Sequence, residues 1–215
     1  MSQAPSALLL IATGCSHCPS VLQSLSELVK EAKLSSLEVV NIVAAPERAA
    51  ALNVRSVPWV KLGDYELVGM KTKSELEQWI DKASDTENLP ENMSAYFEEL
   101  MTTGEMAKVE QLVEQHPEHI QILFNIMSND QSSLSARVGV GAVIEHLSGS
   151  EILINAIDTL GEYSQSPNAR IRNDACYYLG LSHHDKAKKY IQPLLEDEDA
   201  DVRECAEDAL EDINS

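Results

Sequence analysis

Two cysteines with two residues between them, Cys15-Ser16-His17-Cys18, followed by Pro19, are the residues best suited to chemistry. Thiols at this spacing, placed at a helix start, come close enough to bridge with little strain. The first sulfur then sits where helix N–H groups and the positive end of the helix dipole favour a thiolate, which is the reactive form. Cys15 is therefore the expected nucleophile or, when oxidised, the attacked sulfur. Cys18, one turn inside, is expected to resolve the mixed disulfide. His17 lies between them. As a cation it would lower the pKa of Cys15 further and make the disulfide a better oxidant. The alternative is an exposed loop residue with a weak effect.

The same spacing also serves as half of a zinc site. Two more ligands would be needed, and the remaining cysteines, Cys176 and Cys205, stand in no paired motif. His183 and His184 are adjacent, which suits neither a helical nor a strand chelate. No metal and no cofactor are expected. Cys176 and Cys205 read as core thiols of helices, since free cysteine buries readily. The acidic run from Glu196 to Asp201 lacks the glycine and the distant glutamate of a calcium loop, so Asp199 or Asp201 is expected to cap the last helix.

The elements that must hold the pair can be read from periodicity. Leu8 to Ala12 is a short continuous apolar run, as expected of a buried strand. Thr13-Gly14 breaks it, and a helix follows with Leu22, Leu25, Leu28, Val29 and Ala32 on one face. Leu37 to Val43 reads as a second buried strand, and Ala49 to Leu52 as a short helix. Trp59 to Leu62 and Tyr65 to Val68 form a hairpin at Gly63-Asp64. Leu76, Trp79, Ile80 and Ala83 mark a final helix. The order is βαβαββα, with parallel pairing for the strand–helix–strand units and an antiparallel strand from the hairpin.

This combination resembles the thioredoxin superfamily: a strand, the Cys15-Cys18 motif opening a helix, Val57-Pro58 just before a later strand, and Val68-Gly69 ahead of the last helix. The resemblance covers about residues 6 to 84. It implies a cis Pro58 facing the cysteine pair, with backbone groups nearby free to pair with an extended substrate chain. The Cys-x-His-Cys form resembles protein disulfide isomerase and the bacterial oxidant DsbA more than thioredoxin itself. Two positions depart from thioredoxin. Gly14 stands where that family has tryptophan, and Leu9 lies in the region where it buries an acid.

Beyond a polar seam at 85–92, which holds Pro90, only helical periodicity remains. Seven or eight helices are expected. Ile171-Arg172-Asn173-Asp174-Ala175 with Tyr178-Leu179 aligns with Val202-Arg203-Glu204-Cys205-Ala206 and Ala209-Leu210 at an offset of 31 residues. A weaker copy begins at Ala136-Arg137. Two helices per such period mark an α-solenoid. The pattern resembles HEAT repeats of the phycobilisome-lyase-like kind over about 115 to 215. Arg137, Arg172 and Arg203 recur with it and read as structural hydrogen-bond formers.

The expected architecture is thus an α/β thioredoxin-like domain at 1–84, a linker at 85–92 and an all-α HEAT-like solenoid at 93–215. Net charge is −19, and it is uneven: residues 1–84 carry eight Lys+Arg and nine Asp+Glu, whereas 85–215 carry eight and twenty-six. Such a surface repels nucleic acid and anionic membranes. It favours a basic protein partner or serves solubility alone. No apolar run approaches the ~20 residues needed to span a bilayer. Four cysteines with one close pair make no secreted disulfide framework, so the cytoplasm is expected. The functional expectation is a thiol–disulfide oxidoreductase acting on a client protein, with its electron donor unspecified. The rival is a non-enzymatic interaction scaffold or redox sensor with a thioredoxin-like dock. Bilin-lyase-like chemistry rests on the repeat type alone.

Overall fold

The computed structural model describes residues 4–85 and 87–214. The first strand, β1 (Ser6–Ile11), carries the apolar run, with Leu9 and Leu10 fully buried. It leads to α1 (Cys18–Lys30), then β2 (Ser36–Asn41), the short α2 (Pro46–Ala51), β3 (Trp59–Leu62), β4 (Tyr65–Val68) and α3 (Lys73–Ser84). The expected βαβαββα order holds throughout. The sheet order is β2-β1-β3-β4, so β1 is central and paired on both edges. Its apolar residues bury on both faces.

Pairing departs from the expectation at one strand. β1 and β2 are parallel, but β3 already runs antiparallel to β1, with Leu10 opposite Trp59. The reason lies in α2. At six residues it rises only ~9 Å, which does not carry the chain back along the sheet. The chain therefore re-enters at the end where β2 left it. Leu8, Leu10, Val40 and Trp59 pack on the α2 side with Ala49 and Leu52. Their alternates Leu9, Val60 and Leu62 face the other way, towards α1 and α3, and are completely buried.

The buried stripe of α1 is Cys18, Val21, Leu25 and Leu28. This face is rotated from the expected one, and the helix ends before Ala32, which adopts a left-handed φ of 57°. On α3, Thr72 and Glu75 form a reciprocal capping box, and Leu76, Trp79 and Ile80 bury.

The chain divides into two compact units, Met1–Tyr96 and Phe97–Ser215. The boundary therefore lies inside α4 (Leu89–Thr102), later than the expected linker at 85–92. Asp85 accepts amide hydrogen bonds from Glu87 and Asn88 ahead of this helix, and Pro90 sits in its first turn, where a missing N–H costs nothing. In the first unit, Tyr96 stacks edge-on against Tyr65 and Trp79 and accepts a hydrogen bond from the Glu66 amide.

The second unit is helical: α5 (Met106–Gln115), α6 (Ile120–Ser128), α7 (Leu134–His146), α8 (Glu151–Asn155), α9 (Ile157–Tyr163), α10 (Ala169–Leu181), α11 (Lys188–Ile191) and α12 (Ala200–Asn214). Short 3-10 turns at Pro117–His119, Asp185–Ala187 and Gln192–Glu196 link them. Two expected helices are broken into pieces. The stripe from Leu153 to Leu160 divides at Ala156, whose amide bonds back three residues to Leu153. Pro193 falls in the tight turn after α11. The three sequence copies fall on α7, α10 and α12. Their starts are capped by Ser133, Asn168 and Asp199, each accepting backbone N–H bonds.

Arg172 forms a two-pronged ion pair with Asp197 at 2.7 and 2.8 Å and donates to the Ser166 carbonyl. Arg203 donates to the carbonyls of Asp197 and Glu198. Both are the structural hydrogen-bond formers expected. Arg137 is not: among the described residues its guanidinium has no such partner. No helix among the described residues is long and apolar enough to cross a membrane.

Candidate functional site

β1 ends at Ile11, and the chain turns at Ala12, whose carbonyl accepts the Cys15 amide at 3.2 Å. Gly14 takes a φ of +85°, a left-handed conformation that costs glycine nothing and strains other residues. That turn presents Cys15 at the lip of the sheet. His17 is the residue before α1, and Pro19 occupies the first turn.

Cys15 and Cys18 are joined in a disulfide, with Cα atoms 5.5 Å apart. The Cys18 amide donates to Cys15 Sγ at 3.1 Å. A helix N-terminal N–H therefore points at the first sulfur, in the position that holds negative charge once the bond is reduced. Cys18 is 4% exposed, whereas Cys15 is only half-buried. The outer sulfur is thus reachable and the inner one shielded, an arrangement in which one thiol attacks and the other resolves.

The loop before β3 supplies the opposite wall. The Val57 carbonyl oxygen lies 3.8 Å from Cys15 Sγ. The Val57–Pro58 bond is cis, and the Pro58 carbonyl accepts the Gly69 amide at 2.9 Å. Of the four residues singled out from sequence, Cys15, Cys18 and Pro58 thus converge at one end of the sheet. His17 stands beside them on the exposed rim and does not cap the helix with its side chain.

Two contributors were not read from sequence. Asn41, at the end of β2, donates to the Thr13 hydroxyl at 3.1 Å and holds the Val43 amide, so it braces the loop before Cys15. A polar residue closing an apolar strand was the available signal. The Val57 carbonyl, a backbone atom, left no signal of its own.

Cys176 is buried in α10, as expected, but Cys205 on α12 is partly exposed. It lines an open groove of about 420 Å³ with Asp174, Tyr177, Asp201, Glu204 and Asp208. Among the described residues no group of three or more His, Cys, Asp and Glu side chains is gathered as a metal ion would require.

Residues 7–81 match the family model of the thioredoxin domain. The match takes in the motif, the Pro58 loop and most of α3, and with the sheet topology it establishes the N-terminal fold as thioredoxin-like. No curated protein matches the chain.

Proposed function

We propose that this protein is a thiol–disulfide oxidoreductase whose Cys15–Cys18 pair exchanges disulfides with a client protein held by acidic, HEAT-like helical repeats. The observation that carries this reading is the Cys18 amide aimed at the half-exposed Cys15 sulfur. It favours the thiolate at the sulfur a client can reach. As a reductant, the Cys15 thiolate attacks one sulfur of a client disulfide and expels the other as a thiolate. Cys18 loses its proton to solvent, and its sulfur attacks Cys15 in the mixed disulfide. The second client thiolate leaves, and two electrons have passed to the client. As an oxidant the same steps run backwards. The Val57 carbonyl, beside Cys15 Sγ, supports a pose in which an extended client chain lies along that backbone edge. The cytoplasm is the compartment this reading assigns, since the cysteines form no secreted framework.

The test is a redox titration of the pair against glutathione, read by thiol alkylation and mass spectrometry, beside an insulin-reduction assay. A two-electron transition between about −270 and about −120 mV, with turnover, is the expected result. Absence of that transition, or of turnover in both directions, overturns the enzyme. The acidic groove between α10 and α12 favours a second reading, a non-enzymatic scaffold with a thioredoxin-like dock. A scaffold binds its partner through residues 97–215 with Cys15 replaced and shows no exchange.

A further inference from the structure

Outside the first unit, two more sulfurs meet. Cys176 lies in α10 and Cys205 in α12, two helices that pack closely along their length. One turn beyond each cysteine the helices all but touch. A Cβ on Gly180 would fall 2.8 Å from the Ala209 Cβ and 3.1 Å from its Cα, so no side chain fits there. Cys176 and Cys205 occupy the preceding rung at the same sequence separation. Both cysteines thus lie one turn before the closest approach of the two helices, the part of the interface where a disulfide between α10 and α12 would form. The side chains also face each other. The Cys205 thiol donates to the Asn173 carbonyl, one turn before Cys176, at 3.6 Å, and the two thiols shift each other's titration.

The two thiols are unequal. The neighbouring Cys176 thiol pulls Cys205 below the ordinary thiol range, against burial and against the Asp208 and Asp174 charges. Cys176 is pushed up by the neighbouring Cys205 thiol and by its own burial. Cys205 opens onto the acidic groove, and Cys176 lies behind it, wholly buried. One reachable sulfur backed by one shielded sulfur is the division of labour also found at Cys15 and Cys18.

We propose that Cys176 and Cys205 are a second redox-active dithiol, closed into a disulfide between α10 and α12 by a disulfide-bearing oxidant of cationic character. The Cys205 thiolate attacks one sulfur of the oxidant, forming a mixed disulfide and releasing one thiolate. Cys176 then gives its proton to solvent, and its sulfur attacks Cys205. The second oxidant thiolate leaves. Two protein thiols and one disulfide become one protein disulfide and two thiols, with two electrons passed to the oxidant. The charge preference follows from the groove. Asp174, Asp201, Glu204 and Asp208 surround the route to Cys205, so a cationic disulfide is concentrated there and an anionic one repelled.

The experiment takes the full chain with Cys15→Ser and Cys18→Ser, so its outcome does not depend on the first pair. Cystamine, a cationic disulfide, is added under native conditions, and the products are alkylated, digested with trypsin and weighed. The expected result is loss of both free thiols and a disulfide joining peptides 173–186 and 204–215. At low salt, glutathione disulfide, which is anionic, reacts at least about tenfold more slowly, and added salt narrows the gap. Cysteamine left as an unresolved adduct on Cys205, or closure seen only in denaturant, overturns the dithiol. Equal rates with the two oxidants overturn the charge preference. Should the double variant fail to fold, the unsubstituted chain serves, because peptide mapping separates the two pairs, and Cys176→Ser should then trap one cysteamine on Cys205.

Discussion

The two cysteine pairs reach similar ends by different means. Cys15 and Cys18 are three residues apart, and a single turn with its helix start sets their geometry. Cys176 and Cys205 belong to separate helices, and only the packing of α10 on α12 brings them together. Closing the first pair removes little freedom from the unfolded chain. Closing the second ties off a much longer loop and should add more stability. A local pair suits repeated turnover, because reduction leaves the helix start intact. A long-range pair suits a brace, since its redox state and the fit of two helices are coupled.

The comparison can be broken first at Cys15. Cys15→Ser should reduce insulin-disulfide turnover to the uncatalysed rate, while Cys205→Ser leaves it unchanged. Equal losses would show that the pairs do not act separately. Next in size is the packing that presents the second pair. Arg172 and Asp197, both nearly buried, tie the start of α10 to the turn before α12. Arg172→Ala leaves the Asp197 carboxylate only its bond from the Asp199 amide and should cost roughly 3 kcal/mol in urea unfolding of the helical unit. Hydrogen bonds from Arg172 hold the Asp197 carboxyl below its ordinary range. A depressed carboxyl stabilises above its unfolded value of about 3.9, and that stability drains as pH falls through the lower folded value. The gap between parent and Asp197→Asn should therefore be full at neutral pH and close in acid. A gap that stayed constant to low pH would remove the ion pair from the account.

A smaller effect is expected at the cap of α12. Asp199→Ala should cost about 1 kcal/mol by the same urea measurement. The smallest lies at His17. An exposed cation beside a thiolate contributes roughly 0.2–1 kcal/mol, so His17→Ala should move the Cys15–Cys18 midpoint by no more than about 20 mV, towards more negative values. An unchanged midpoint would make His17 an exposed loop residue and nothing more.

Much of the first unit was legible because its signals are local. A continuous apolar run, a C-x-x-C motif and Gly63-Asp64 each name their own element. The antiparallel β3 was not legible, since direction depends on where α2 leaves the chain and not on the strand's residues. α4 begins at Leu89, inside the expected linker: Pro90 reads as a breaker, yet proline is well tolerated in a helix's first turn. Tyr96 then gains its place only by stacking on Tyr65 and Trp79. In the second unit the repeat pattern located α7, α10 and α12, but it also hid the second pair. Aligning copies sets Cys205 against Asp174, whereas packing sets the flank of one helix against the opposite flank of the next. Equivalent positions in a repeat are not neighbours in space, so Cys176 and Cys205 read as unrelated core thiols.

The aromatic arrangement of the first unit has a practical consequence. The chain has two tryptophans. Trp59 follows Pro58 in β3, and Trp79 sits in the stack with Tyr65 and Tyr96. Both fall within 1–96. Emission excited at the red edge, where tyrosine no longer absorbs, therefore reports on one half of the molecule and is silent on the other. Paired with far-ultraviolet circular dichroism, which sums the helices of both units, it isolates the first unit's unfolding within the whole signal of one unlabelled sample.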